Sequence, residues 1–320
     1  MSWILLILLL LAGAVLLYLP YRQDLDVAYR RLNRIPSQRL KTACGTVEVA
    51  LRGQGPAVLS IHGSAGGYDQ GLDLARRQLG PGYRVIAPSL FGYLGTPLPE
   101  SATPRSQAKA LVCMLDSLGQ DRVAAITSSA GGPAAVQLAL HYPERVSALV
   151  LISTAIADKP LSLPPRAVMT LLARSNFLFW TLAQPLRPLT RRIFVPASYK
   201  LAPKDEAEVA DLLDKLLPIR PRAEGLLFDM YMTNTDPHRR GGAYPLEDLL
   251  VPTLVINAKD DPLANYWDAQ AMSRRIPTAQ FVTVPAGGHV MAGSGNQVSQ
   301  RINHFLGAQA KQAGQIIDKR

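Results

Sequence analysis

Hydrophobic and polar positions along the chain fall into three regimes. Residues 3–19 form one run of seventeen uncharged, almost wholly apolar positions, closed by Pro20, Tyr21 and Arg22. At ~1.5 Å rise per residue the run makes ~25 Å of helix, within the range that crosses a ~30 Å hydrocarbon core. Trp3, Tyr18 and Tyr21 stand where interfacial aromatics stand. Ala12-Gly13-Ala14 is similar to a signal-cleavage site, but no Lys or Arg precedes the run and five apolar residues continue past Ala14. The expectation is an uncleaved single-pass anchor over residues 1–21, followed by a basic juxtamembrane linker over 22–38.

The second regime consists of short apolar runs. Residues 40–42 and 47–51, separated by Gly45 and followed by the turn Gly53-Gln54-Gly55-Pro56, predict an entry hairpin. Strand-like runs at 58–61, 85–87, 123–127 and 148–152 then alternate with helical patterns at 71–79, 106–118 and 131–141. That alternation predicts an α/β domain with a mostly parallel sheet and helices on both faces. In the third regime, 157–245, strands stop, and helical stretches are punctuated by nine prolines, from Pro160 to Pro221. This predicts an inserted helical cap. Strand patterns resume at 253–256 and 280–284, and a helix over 297–309 closes a core built from 39–156 and 246–308, leaving 309–320 as a tail.

Composition narrows the reading. A 320-residue chain with 48% hydrophobic and 18% charged residues buries a large core and is not disordered. Cys44 and Cys113 show no CxxC and no Cys/His clustering, and are read as packing residues. The net charge of +10 raises nucleic acid as a partner. Its placement argues otherwise, because residues 21–41 hold six bases against two acids directly after the apolar run. Such a cluster suits membrane lipid, and no nucleic-acid motif accompanies it. With the bases on the C-terminal side, the positive-inside rule expects the domain that follows the anchor to be cytoplasmic.

The candidate chemistry lies at strand ends. The run 123–127 leads into Ser128-Ser129-Ala130-Gly131-Gly132 and a helix, the pattern of a serine exposed on a sharp strand-to-helix turn. Such a turn needs small residues two positions either side. Thr127 and Gly131 flank Ser129, whereas Ile126 would crowd Ser128, so Ser129 is the expected nucleophile. After 58–61 stands His62-Gly63-Ser64-Ala65-Gly66-Gly67, a turn that would aim the Ser64 amide, with that of Ala130, at a developing oxyanion. His62, Gly63 and Gly131 are read as structural parts of these turns. Asp260-Asp261 follows the run at 253–256, and His289 follows the run at 280–284. Loops after such strands converge at the carboxyl edge of the sheet, giving the order Ser129, Asp261, His289, with Asp260 as the alternative acid. The cluster Phe177-Leu178-Phe179-Trp180 reads either as one wall of an acyl pocket or as cap core.

Taken together these segments resemble the α/β-hydrolase superfamily over about residues 39–308, and the layout of anchor, core and cap is similar to monoacylglycerol-lipase-like serine hydrolases. APSLFGYLGTPLP after residue 85, HYPERVSALVLIS, and VPTLVINAKDDPL before GGH are similar to family segments. Thr127, Asn257-Ala258 and Ser89 depart from the usual glycine, His-Gly and Asp. The resemblance implies a serine esterase or lipase-like enzyme with a small-molecule acyl substrate and neither metal nor organic cofactor. Two alternatives stand beside it: the same triad applied to C–C, amide or acyl-transfer chemistry, and a silent membrane-tethered scaffold.

Overall fold

The computed structural model describes residues 3–154, 156, 163–236 and 244–317. Helix α1 (Trp3–Asn33) is a single helix that continues through Pro20. It is apolar and long enough to cross a membrane, and its described side chains before Pro20 are all exposed. The segment expected as a linker is therefore helical to Asn33. Leu25, Ala28 and Leu32, at i, i+3 and i+7, are buried, which gives this polar-looking stretch one apolar stripe to dock with.

Strands β1 (Gln38–Thr42) and β2 (Gly45–Arg52) form the expected hairpin. Then follow β3 (Ala57–Ile61), α2 (Tyr68–Gln78), β4 (Arg84–Pro88), α3 (Pro104–Ser117), β5 (Val123–Ser128), α4 (Gly132–His141) and β6 (Val146–Ile152). The cap holds α5 (Arg166–Arg174), α6 (Asn176–Ala183), α7 (Arg187–Thr190), α8 (Pro203–Asp214) and α9 (Ala223–Tyr231). The chain returns through β7 (Thr253–Ala258), α10 (Tyr266–Arg275), β8 (Ala279–Val284) and α11 (Gly295–Ile317). The closing helix thus runs on through most of the stretch read as a tail.

The eight strands lie in the order β1-β2-β4-β3-β5-β6-β7-β8, antiparallel where β2 meets β1 and β4 and parallel elsewhere. Alternation along the central strands feeds two cores. Leu59, Ile61 and Ala125 face Leu111 and Met114 of α3 and Leu138 of α4. Val58, Ile126 and Val150 face Ile302 and Phe305 of α11. With both faces covered, the ends of β5, β7 and β8 carry their loops to one edge, beneath the cap.

Two sequence readings change here. Cys44 and Cys113 are joined by a disulfide, with Cα atoms 5.9 Å apart across 69 residues. It ties the turn of the β1-β2 hairpin to α3, a pairing that no local spacing signals. The aromatic cluster on α6 serves largely to receive α1. The Phe177 and Trp180 rings pack on Tyr21, Trp180 is buried against Ala28, and Trp180 Nε1 donates to Asp24 Oδ2 at 2.8 Å.

Candidate active site

Strand β5 ends at Ser128, whose φ of −132° is extended, and the next residue turns sharply: Ser129 has φ +53°. A non-glycine residue there is strained and persists only where its surroundings over-determine it. The neighbours are small for a measurable reason. A methyl group on Gly131 would lie 2.3 Å from Thr127 Oγ1 and 2.4 Å from the His62 carbonyl, and one on Gly132 would lie 2.1 Å from Thr154 Cγ2. Thr127 is thus accommodated because Gly131 has no side chain. The backbone singles out Ser129 over Ser128 as the residue on the turn.

Asp261 and His289 come together from the loops after β7 and β8. Both Asp261 carboxylate oxygens lie 3.0 Å from His289 Nδ1, with the Asp261 side chain fully buried and that of His289 9% exposed. Asp261 Oδ1 also accepts from the amides of Leu263 and Ala264 at 2.9 Å. Asn257 closes this turn by donating to the Ala264 carbonyl at 2.9 Å. Asp260 faces elsewhere and accepts from the amides of Gly287 and Gly288, at 3.1 and 2.9 Å, bracing the His289 loop.

Ser129 Oγ makes no hydrogen bond to His289 or to any other described residue. The two loops are instead held by neighbouring residues beyond β6: Ser153 Oγ donates to the His289 carbonyl at 2.6 Å, and Thr154 Oγ1 to the Ser129 carbonyl at 2.9 Å. His289 is fixed from the cap side as well, its amide donating to the Phe194 carbonyl at 2.7 Å.

The loop after β3 approaches Ser129 closely, since a methyl group on Gly63 would lie 3.1 Å from Ser129 Cβ. Its Ser64 amide has no hydrogen-bond partner among the described residues. The His62 ring is engaged at both nitrogens: Nδ1 donates to the Gly63 carbonyl at 2.7 Å and Nε2 accepts from the Leu90 amide at 3.0 Å. Complete burial outweighs the Gly63 bond and pushes its pKa down to about 4, so the ring is neutral.

A family model described as the alpha/beta hydrolase fold matches residues 56–294. The chain belongs to the alpha/beta hydrolase family. A relative named as the putative carbamate hydrolase RutD of Klebsiella pneumoniae is 30% identical over 249 residues, 73% of this chain and 84% of its own length. The uncharacterized hydrolase YcgS of Bacillus subtilis is 26% identical over 293 residues, 85% of this chain and 94% of its own. Among solved structures, an alpha/beta hydrolase fold protein from Nakamurella multipartita matches with TM-score 0.68 and 27% identity, covering 85% of this chain and 99% of that one.

Several residues that shape this hydrolase site escaped the sequence reading. Ser153 and Thr154 sit at the end of a family-like segment but bear no motif of their own. Cap residue Arg222, fully buried, donates to both Asp69 oxygens at 3.0 and 2.8 Å and to the Gly66 carbonyl at 2.6 Å. Burial opposes ionisation of Asp69, but the charge and hydrogen bonds of Arg222 hold its carboxyl below the usual range. Tyr93, also fully buried, donates to Asp229 Oδ2 at 2.5 Å and accepts from the Ala65 amide at 3.3 Å. Burial raises Asp229 to about 7 against the Tyr93 hydrogen bond, and holds the Tyr93 phenol well above its ordinary value. Asp69 and Arg222 are 153 residues apart, and Tyr93 and Asp229 136 apart, so only the folded chain pairs them.

Proposed function

We propose that this hydrolase is a membrane-anchored serine enzyme that cleaves carboxylic esters of apolar acyl groups through an acyl-enzyme, with Ser129 as nucleophile, His289 as base and Asp261 as the acid that orients it. The observation that carries the reading is the left-handed Ser129 at the end of β5, two loops from a histidine whose Nδ1 faces a buried carboxylate. Asp261 holds the proton on Nδ1, so Nε2 is the nitrogen that takes the Ser129 proton as Oγ attacks the acyl carbon. The tetrahedral oxyanion faces the amides of Ser64 and Ala130, and donors of this kind supply roughly 3–4 kcal/mol each. Collapse breaks the acyl C–O bond and His289 returns the proton to the leaving alkoxide. Water repeats the sequence to release the acid.

Apolar surface adjoins the base: the half-buried Phe194 ring lies 6.3 Å from that of His289, and Met291 is buried beside it in sequence. The contacts of α1 support bilayer-borne substrates. Leu32 packs with Ala50 and Tyr68 of the core, Ala28 with Trp180 and Leu217, and Tyr21 with Phe177, so the apolar run leaves the molecule past the cap. The proposed placement departs from the positive-inside expectation. A disulfide belongs in an oxidising compartment, and one of the bases that suggested a cytoplasmic domain, Arg31, is engaged within the protein, where it donates to the Leu217 carbonyl. The catalytic domain therefore sits on the extracytoplasmic side.

A second reading keeps these groups and changes the bond cleaved, since a relative is named as a putative carbamate hydrolase and a fold does not fix its substrate. One experiment separates the readings. A fluorophosphonate labels the wild-type chain and Ser128→Ala but not Ser129→Ala, and an acyl-ester panel of rising chain length, run beside carbamates and amides, is turned over best at the ester. Labelling that survives in Ser129→Ala refutes the nucleophile; faster turnover of a carbamate transfers the activity to the second reading. An unlabelled wild-type chain would leave a silent scaffold.

A further inference from the structure

The cap meets the core at the turn proposed to receive the oxyanion. Ala65, next to Ser64, adopts φ +57°, a left-handed conformation that a side chain disfavours. What holds it there is the Tyr93 hydroxyl, which accepts from the Ala65 amide at 3.3 Å. The phenol ring cannot easily shift, because it stands edge-on to His62 with centroids 4.6 Å apart. On its other side it meets α9, where a methyl group on Gly225 would lie 2.2 Å from Tyr93 Cδ2. The hydroxyl is aimed by Asp229 of the same helix, whose Oδ2 accepts from it in a 2.5 Å hydrogen bond. The order of contact is thus Asp229 in the cap, the Tyr93 hydroxyl, the Ala65 amide, and then the Ser64 peptide.

We propose that Tyr93 and Asp229 are positioning residues of the oxyanion turn, so that cap helix α9 sets the aim of the Ser64 amide. The inference rests on the reading that Ser64 donates to the oxyanion. Neither side chain touches substrate. Asp229 fixes the Tyr93 hydroxyl as a donor toward itself and leaves the phenol oxygen free to accept from Ala65. Without that acceptor the Ala65 amide is buried and unpartnered, and the strained turn relaxes away from Ser129. The Arg222 contact with the Gly66 carbonyl and Asp69 anchors the far end of the loop independently, so the loop stays attached to the cap while its near end loses its aim.

The test compares Tyr93→Phe, Asp229→Ala and Asp229→Asn in the full chain, with kcat expressed per fluorophosphonate-titrated site and with the Ki of a trifluoromethyl ketone, whose adduct places an oxyanion in the turn. Outright removal of an oxyanion donor costs roughly 10²–10³ in rate, so a misaimed one should cost less, about tenfold. Tyr93→Phe and Asp229→Ala should therefore each lower kcat about tenfold at nearly unchanged KM, and weaken the ketone by the same factor. Asp229→Asn, which still offers an oxygen to the phenol, should recover most of both. A structural role alone would lower the melting temperature or the titratable fraction without moving kcat per site or the ketone Ki. Should Tyr93→Phe fail to fold, the Asp229 pair reads the same split. Unchanged kcat per site in the variants overturns the positioning role alone, whereas a wild-type chain with no titratable serine overturns the serine-hydrolase reading and the inference with it.

Discussion

Asp260 and Asp261 are neighbours in sequence, yet their carboxylates serve different ends of the same contact. Asp261 faces the His289 ring, whereas Asp260 holds the two glycine amides that lead into it. Asp261→Asn would present an amide N–H to Nδ1 and favour the wrong tautomer. We expect kcat to fall by roughly 10³–10⁴ with little change in KM, measured on an activated ester. Asp260→Asn keeps one acceptor and loses the other, so it should cost ~1–2 kcal/mol of stability and affect kcat less. A larger kcat loss in Asp260→Asn would show that the acid lies one residue earlier. The buried titratable groups give a pH test with opposing signs. The folded chain raises Asp229 from 3.8 to about 7, so the unfolded state loses that proton first and stability drains away as pH rises from about 4 to about 7. His62 is lowered from 6.5 to about 4, so the unfolded state gains that proton first and stability drains away as pH falls across nearly the same window. Asp229→Asn removes only the first contribution. Its melting temperature should climb more steeply between pH 4 and 7 than that of the wild type, and an equal or shallower climb would count against a protonated Asp229.

At the scale of elements, α1 is where the sequence was least legible. The α/β core was readable because each strand is a short apolar run bounded by turn residues. Ser129, Asp261 and His289 became the candidate site residues because each follows such a run. The stretch after Arg22 reads as basic linker because its partners are remote: Asp24 meets Trp180 at a separation of 156, and Arg31 meets Leu217 at 186. The one local signal was the spacing of Leu25, Ala28 and Leu32, visible as a buried stripe only when the cap offers a surface to cover it. For the same reason the α6 aromatics looked as suited to an acyl pocket as to cap core, and a docking surface for α1 was not visible. Asp24→Ala leaves the indole N–H of a 4% exposed tryptophan without its acceptor, which should cost about 1–3 kcal/mol at that interface. Ala28→Leu overpacks the same seam and should cost a similar ~1–3 kcal/mol. Hydrogen exchange over residues 22–33 should quicken in both variants while the central strands keep their protection; exchange unchanged in both would mean that α1 gains nothing from the cap.

For the whole molecule, helix α1, the cap and the site are joined by successive contacts. The apolar run passes the cap before leaving the protein, and the cap in turn holds the loops of His289 and Ala65 through Phe194 and through the Asp229–Tyr93 pair. With α1 as the proposed anchor, the capped face would lie toward the bilayer, on whichever side the catalytic domain lies. The disulfide decides which side is proposed, since thiols 5.9 Å apart at their Cα atoms stay reduced in a glutathione-buffered cytosol and pair outside it. The proposal predicts that the full chain remains with membranes after a carbonate wash. It also predicts that maleimide-polyethylene glycol, added to the denatured and unreduced chain from intact cells, shifts neither Cys44 nor Cys113 until reductant is supplied. Replacing both cysteines with serine should then lower stability by about 2–4 kcal/mol, the range for closing a long loop. Labelling without reductant, together with a double variant as stable as the wild type, would return the catalytic domain to the cytoplasmic side, where the basic residues beside the anchor first placed it.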